Sequence, residues 1–202
     1  GKGRAPRRVN STFIGFGIAP RMNAAGRMGD ATVAAELLLS EGGEKSERLA
    51  GELCELNAER QTEENRIAEA AYRKIEEQAA KEKPRVLVLD DDDWHQGIIG
   101  IVASRITERY GLPSILVTYD GSPDRDGSAA DLGKGSGRSV KGLNLVEALT
   151  ACADLLERFG GHELAAGLSV RRGNIPLLRE RLNAYAAERL TEAARSLLEK
   201  RI

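Results

Sequence analysis

Between residues 85 and 120 the sequence contains two short apolar runs separated by one amphipathic stretch. RVLVLD (85–90) and PSILVTYD (113–120) are rich in leucine and β-branched residues, a pattern typical of buried strands. The stretch between them, GIIGIVASRITERYG (97–111), has helical periodicity and ends on a glycine, a common helix stop. Because strand, helix and strand in succession form a right-handed parallel unit, the sequence predicts an α/β body from about residue 84 to about residue 194.

The sequence before this body predicts one long helix. From Ser46 to about Lys81 the chain is helical in composition and highly charged, with a thin apolar stripe. A stripe this thin indicates a helix that connects two bodies. Residues 1–30 predict loops with short extended pieces, and DATVAAELLLSE (30–41) predicts a helix capped by Asp30. The stripe consists of Leu49, Leu53, Leu56, Ile67 and Ile75.

The sequence after residue 119 predicts a loop followed by four further segments. DGSPDRDGSAAD (120–131) is rich in turn residues. GKGSGRSV (133–140) predicts a strand edge or a loop, and NLVEALTACADLLERF (144–159) a helix with Gly160 as its C-terminal cap. LAAGLSV (164–170) predicts a strand, and IPLLRERLNAYAAERL (175–190) a closing helix.

Composition and charge limit the function classes. The formal net charge of −1 argues against a globally basic nucleic-acid binder, yet residues 1–27 carry six basic side chains and no acidic one. Residues 132–146 are also free of acids and contain Lys134, Arg138 and Lys141, so phosphates could be attracted locally. No apolar run approaches the roughly 20 residues that span a bilayer, and the distant Cys54 and Cys152 indicate reduced thiols in a cytoplasmic protein.

Three motifs each allow a functional and a structural interpretation. Residues 90–93, four aspartates, could bind a hard cation, or form an exposed turn whose last aspartate caps the next helix. GKGSGRS resembles a phosphate-binding loop but lacks the Gly-Lys-Ser/Thr ending of a nucleoside triphosphate site, and a flexible surface hairpin is the alternative. In FGGHELAAG a cap explains Gly160 and leaves Gly161 and His162 unexplained.

Taken together, these motifs resemble one family. WHQGIIGIVASR (94–105), GSGRS (135–139) and GGHELAAG (160–167) are similar to the DHH-associated domain of the RecJ family of single-stranded-DNA-specific 5′-to-3′ exonucleases. GFGIAPRMNAAGRMGDATVAAELLL and LNAERQTEEN resemble the segment that joins the two core domains of that family. The resemblance extends from about Phe13 to about Val170 in the family's order and implies a mixed, partly parallel sheet flanked by helices, preceded by a long connecting helix.

The resemblance implies a domain organisation and a set of nucleic-acid-binding residues. Residues 1–43 correspond to the end of the first (DHH) core domain, 44–83 to the connecting helix, and 84–202 to the DHH-associated substrate-binding domain. Trp94 could stack on a base or pack in the core. The expected contacts to single-stranded DNA are Arg21, Asn23, Arg27, Trp94, His95, Ser136, Gly137, Arg138, Ser139, Gly160, Gly161 and His162.

The catalytic part of the family is not expected in this sequence. Family members hold two Mn²⁺ or Mg²⁺ ions through motifs that include Asp-His-His, which is absent here, as is the family's oligonucleotide-binding barrel. The segment is therefore expected to bind DNA without cutting it and without its own metal, within a parent enzyme of DNA repair and recombination. A helicase or a single-strand-binding protein is a possible partner. The alternatives are part of a DHH phosphodiesterase for short oligonucleotides or cyclic dinucleotides, and a non-catalytic interaction domain.

Overall fold

The structure is a computed structural model that describes residues 9–79, 83–119 and 131–189. The turn-rich prediction for 120–130 and the basic residues before Val9 lie outside these ranges. The chain divides into two compact units, Gly1–Glu63 and Glu64–Ile202. The boundary falls inside the long helix that the sequence predicts.

The first unit is helical. It contains α1 (Ser11–Phe13), a π-helical turn (Ile14–Ile18), α2 (Ala19–Met28) and α3 (Thr32–Leu39). The prediction of loops in the first 30 residues is therefore wrong between Ser11 and Met28. Burial of small side chains outweighs the weak helix propensity of the glycines, because Ala25 and Ala34 pack against Leu53. Asp30 accepts a hydrogen bond from the Thr32 amide at the start of α3, but the cap residue of this helix is Ala31, one residue after the predicted cap.

The predicted long helix is α4 (Glu44–Ala79). Leu49 and Leu53, in the half that belongs to the first unit, are buried. In the half that belongs to the second unit, Tyr72 lies 6.1 Å from Tyr110 between ring centroids, and the guanidinium of Arg109 lies 4.2 Å from the Tyr72 ring. Apolar and cation–π contacts therefore fix α4 locally within each unit.

The second unit contains one mixed sheet of five strands in the order β1-β2-β3-β5-β4. Strands β1 and β2 are parallel, as predicted, and the remaining neighbours are antiparallel. The crossover helix α5 ends at Gly111, which adopts the left-handed conformation expected of a helix stop. The elements are β1 (Leu87–Asp91), α5 (Gln96–Tyr110), β2 (Ser114–Thr118), β3 (Leu132–Arg138), α6 (Leu145–Thr150), β4 (Leu156–His162), β5 (Ala165–Arg171) and α7 (Ile175–Arg189).

The two faces of the sheet have different covers. On one face, here called the core face, Val117 and Leu168 pack with residues of α6 and α7 such as Leu149 and Leu182. On the other face α5 covers β2 and β3, and Leu116 beneath it is fully buried. Side chains alternate between the faces along every strand, so this arrangement fixes which residues remain outside the core.

Two sequence expectations in this unit are wrong. GKGSGRSV is neither an edge nor a flexible hairpin, because β3 is the central strand of the sheet. The helix predicted for residues 144–159 ends at Thr150, and after a 3₁₀ turn (Ala153–Leu155) the chain forms β4. Pairing with β5 satisfies the backbone of this segment and overrides its helical composition. Gly160 is consequently a strand residue and not a helix cap.

The glycine pair in β4 gives a direct test of the register in which β4 pairs with β5. Gly161 has φ +149° and an added Cβ would lie 2.6 Å from the Ala166 Cα and collide with the Ala165 carbonyl oxygen, whereas a Cβ on Gly160 meets nothing within 4 Å. We expect Gly161→Ala to lower the free energy of unfolding by at least about 2 kcal/mol because backbone must move. Gly160→Ala, the matched control, should change it by less than about 0.5 kcal/mol. Urea denaturation of both variants measures the difference, and equal stabilities would contradict the register.

Candidate functional site

The alternating glycines of β3 are explained by packing on the core face. A Cβ on Gly135 would lie 2.9 Å from the Leu168 side chain, and one on Gly137 would lie 2.8 Å from Leu145 Cδ2. Glycine is needed there because neighbouring side chains already fill the space. The expected contact between Gly137 and nucleic acid is therefore not supported, since its Cα faces the interior.

The intervening residues of β3 point to the opposite face and align with residues of β5 and β4. Directly opposed residues of antiparallel strands share a face, so the pairings define three rows across the sheet. We call these nine residues the polar platform. The rows are Arg138–Ala165–His162, Ser136–Gly167–Gly160 and Lys134–Ser169–Arg158.

Basic side chains occupy the corners of the polar platform and small residues occupy its centre. Gly160 and Gly167 are exposed, and no atom other than the Gly135 carbonyl oxygen, 3.9 Å from the Gly167 position, approaches an added Cβ at either within 4 Å. Successive rows lie about 7 Å apart and neighbouring strands about 5 Å apart. The arrangement offers open backbone between positive charges, which suits an extended anionic chain.

Arg138 is held in a defined orientation. Its Nε donates to Ser104 Oγ of α5 at 3.1 Å, and its Nη1 donates to Ser136 Oγ at 3.1 Å and to the Gly137 carbonyl at 2.8 Å. Gly100 of α5 makes room for this arrangement, because an added Cβ would lie 2.9 Å from Ser136 Oγ. These three acceptors are neutral groups, and together they orient the guanidinium.

The platform brings together four of the residues expected from the sequence. His162 shares a row with Arg138, and Gly160 shares the next row with Ser136. Sequence reasoning missed Gly167, Ser169, Lys134, Arg158 and Ala165 as members of the same surface. Their signal was the two-residue alternation of β4 and β5, which is readable only once the strands and their register are known.

Three other expected residues have structural roles. Ser139 donates its hydroxyl to the Leu143 carbonyl at 2.7 Å. Gly161 permits close pairing with β5, as described above. His95 caps α5 by accepting a hydrogen bond from the Gly97 amide at its Nδ1, 3.1 Å away, which leaves its neutral form protonated at Nε2. The expectation that the last aspartate of the 90–93 run caps this helix is thus wrong.

Trp94 is packed in the interior. Only 4% of its surface is exposed, and the Lys74 ammonium lies 5.9 Å from its ring centroid. Its indole Nε1 has no hydrogen-bond partner among the residues that the structure describes. Of the two interpretations of Trp94, core packing agrees with this burial, whereas base stacking would require an exposed ring face.

The three expected contacts from the first unit lie on α2. Arg21 donates to the Gly17 carbonyl and to Cys54 Sγ, the latter at 3.3 Å, so it also stabilises the fold of this unit. Asn23 and Arg27 are exposed. Both lie on one face of α2, because residues four apart in a helix are neighbours.

Three of the four aspartates of residues 90–93 are engaged by cationic and hydroxyl partners. Asp90 accepts a hydrogen bond from the Tyr119 hydroxyl at 3.0 Å, and Asp91 lies 3.2 Å from Lys74 Nζ. Asp92 pairs with Arg172, whose hydrogen bond lowers the pKa of that carboxyl. Burial, reinforced by the negative charge of Asp90, raises the pKa of Tyr119 above its usual value. These carboxylates form a stabilising network between β1, β2 and the segment before α7.

The residues that the structure describes do not form a metal centre. Within 9–79, 83–119 and 131–189, no three histidine, cysteine or acidic side chains cluster closely enough to hold a metal ion. The metal-binding interpretation of residues 90–93 therefore lacks a ligand set there. In the same ranges, no helix is both long and apolar enough to cross a bilayer.

Comparison with known proteins agrees with this geometry. The family model described as the DHHA1 domain matches residues 83–188, more than half of the chain. The chain belongs to the DHHA1-domain family. The match covers the whole five-stranded sheet with α5, α6 and most of α7, and therefore includes the polar platform.

The relatives that the chain matches are named as exonucleases. The chain is 38% identical over 184 residues to the single-stranded-DNA-specific exonuclease RecJ of Bacillus subtilis, covering 91% of this chain but 22% of that protein. It also superposes on crystal structures of Thermus thermophilus RecJ with Mg²⁺ (TM-score 0.75, 38% identity) and with Mn²⁺ (TM-score 0.74, 41% identity). Each superposition covers 88% of this chain, and respectively 26% and 24% of the other. The chain thus spans about a quarter of the length of these proteins.

The burial of Trp94, the single tryptophan of the chain, predicts a fluorescence result. We expect fluorescence emission typical of an apolar environment, because the ring is buried. For the same reason we expect no quenching when a single-stranded oligonucleotide is added. Binding should be followed in parallel by anisotropy of a labelled strand, so that the absence of quenching is read at saturation. Strong quenching at saturation would show that the indole contacts a base.

Proposed function

We propose that this chain is the nucleic-acid-binding part of a RecJ-like enzyme that degrades single-stranded DNA from the 5′ to the 3′ end. The observation that carries the proposal is the polar platform, a partly exposed surface with basic side chains at its corners and an oriented Arg138, inside the segment that matches the DHHA1 domain. The names of the relatives support single-stranded DNA as the substrate class. The parent enzyme would act in DNA repair and recombination in the cytoplasm.

The platform would bind the strand through its phosphates and its backbone shape. Arg138 supplies a charge-assisted donor fixed by Ser104, and Ser136 a hydroxyl beside it. His162 adds a ring N–H donor on the same row from an exposed position. The open Cα atoms of Gly160 and Gly167 allow the sugar-phosphate chain to approach the sheet.

Hydrolysis would require groups that the described residues do not provide. Two divalent metal ions clamp the attacking and leaving oxygens in this type of phosphodiester cleavage, and the related structures contain Mg²⁺ or Mn²⁺. We assign metal binding to a DHH domain elsewhere in a parent chain. This chain would hold the strand and align it, so that the strand does not bind in an incorrect register. A helicase or a single-strand-binding protein could deliver the strand.

The first unit fits a role as the end of another domain. Ile14, Phe16 and Leu39 are exposed, Phe16 by 83% and Leu39 by 83%. Several large apolar side chains left exposed on one small unit support the proposal that another part of the parent protein covers them. This supports the assignment of residues 1–43 to the DHH core domain, of 44–83 to the connecting helix and of 84–202 to the substrate-binding domain.

Replacement of Arg138 tests the proposed site. We expect Arg138→Ala to weaken binding of single-stranded DNA by about 1–3 kcal/mol, the range for a charge-assisted hydrogen bond. It should also reduce the slope of log K against log salt by about 0.7, because one fewer phosphate is neutralised. Titration by fluorescence anisotropy at several salt concentrations gives both quantities.

The matched control is Arg181→Ala, which removes the same charge from α7 on the core-face side of the sheet. Arg181 pairs with Asp154 at 2.7 Å and lies outside the platform. Its loss should leave both affinity and salt slope close to those of the parent.

If Arg138→Ala and the control bind equally well, the platform is not the binding surface, and the interaction-domain alternative is favoured. Preference for dinucleotides over long strands would favour the short-oligonucleotide phosphodiesterase.

A second test concerns catalysis by the chain alone. We expect the purified 202-residue chain to bind 5′-phosphorylated single-stranded DNA in the presence of Mn²⁺ without shortening it, because the described residues lack a ligand set for two metals. Products should be examined on a denaturing gel at enzyme excess. Metal-dependent shortening that Asp92→Asn abolishes would overturn this expectation and restore a catalytic role to residues 90–93.

A further inference from the structure

The third row of the polar platform is separate from the residues assigned above to phosphate binding. Lys134 on β3 opposes Ser169 on β5, and Ser169 opposes Arg158 on β4. Relative to the row that contains Arg138 and His162, this row lies two rows further along the strands, about 14 Å away. The hydrogen bonds described for Arg138 reach Ser104, Ser136 and the Gly137 carbonyl, which lie outside this row.

Arg158 differs from the neighbouring arginines of the second unit in its partners. Arg171, at the end of β5, pairs with Glu157 at 2.8 Å, and Arg172 pairs with Asp92. Arg158 is exposed and forms no ion pair or hydrogen bond with the residues that the structure describes. A guanidinium carries five donors, and this one shares its row with the Ser169 hydroxyl and the Lys134 ammonium. Such a row is suited to an anionic ligand.

We propose that Lys134, Ser169 and Arg158 form a second phosphate subsite, which binds a phosphate further along the strand held at Arg138. The proposal rests on the proposed function, because it assigns a second contact to the same ligand. Between the two subsites lie Gly160, Gly167 and Ser136, so the strand can cross the sheet without meeting a bulky side chain. Both ends of the platform are then positive, and the intervening row is neutral.

This subsite predicts a dependence on strand length. A 5′-phosphorylated thymidine dinucleotide is too short to contact rows about 14 Å apart as fully as a strand of about twelve nucleotides, within the usual range for a single-strand site. Loss of the second subsite should therefore weaken binding of the longer strand selectively. Loss of Arg138 should weaken binding of both ligands.

The experiment measures binding of these two thymidine ligands to the full chain by isothermal titration at several salt concentrations, beginning at low salt. Arg158→Ala should weaken binding of the longer strand about tenfold, lower its salt slope by about 0.7, and leave dinucleotide affinity unchanged. Lys134→Ala should act in the same direction, which guards against a local effect of one variant. Arg181→Ala again controls for the loss of one positive charge, and circular dichroism confirms that each variant is folded.

Each outcome separates this proposal from the proposed function. If Arg138→Ala weakens binding and Arg158→Ala does not, the second subsite is wrong while the proposed function stands. If neither variant changes binding, the proposed function fails as well. An equal loss for the dinucleotide and the longer strand in Arg158→Ala, or an equal loss in the Arg181→Ala control, would also overturn a separate subsite.

Discussion

The close packing of β3 between β2 and β5 on the core face determines most of the second unit. Three glycines of β3 lie against large side chains on this face. A Cβ added to Gly133, Gly135 or Gly137 would lie under 3 Å from Tyr119, Leu168 or Leu145, respectively. Because side chains alternate along a strand, glycines on one face oblige every polar residue of β3 to face the other. The tight core and the polar platform are therefore two consequences of one sequence pattern.

The helices cover the two faces of the sheet unevenly, so that the residues of the apolar core and those of the proposed binding surface lie on opposite faces. On the core face α6 and α7 complete an apolar interior, and Arg181 at its margin is paired with Asp154. On the other face α5 covers β2 and β3 but contributes Ser104 and the space at Gly100 to orient Arg138. A central strand and a helix therefore fix the guanidinium of the proposed site, and a group held on rigid elements needs little ordering when a ligand arrives.

The sequence predicted those elements whose pattern is local. Strands β1 and β2, helix α5 with its stop at Gly111, and α4 follow from apolar periodicity and end signals. It did not predict β4, because residues 156–159 continue a helical composition and only pairing with β5 makes them a strand. For the same reason the site was predicted in part. Arg138 and His162 stand out beside glycines, whereas Gly167 and Arg158 become recognisable only through the register.

A chain of net charge −1 can still bind a polyanion when its acids are segregated. The aspartates Asp90, Asp91 and Asp92 are held by Tyr119, Lys74 and Arg172, outside the platform, whose nine residues include four basic side chains and no carboxylate. Two subsites neutralise few phosphates, so the salt-dependent part of the affinity stays small. Modest affinity would suit the proposed function, in which a strand moves past this surface as its end is removed, since tight binding of each intermediate would slow the next step.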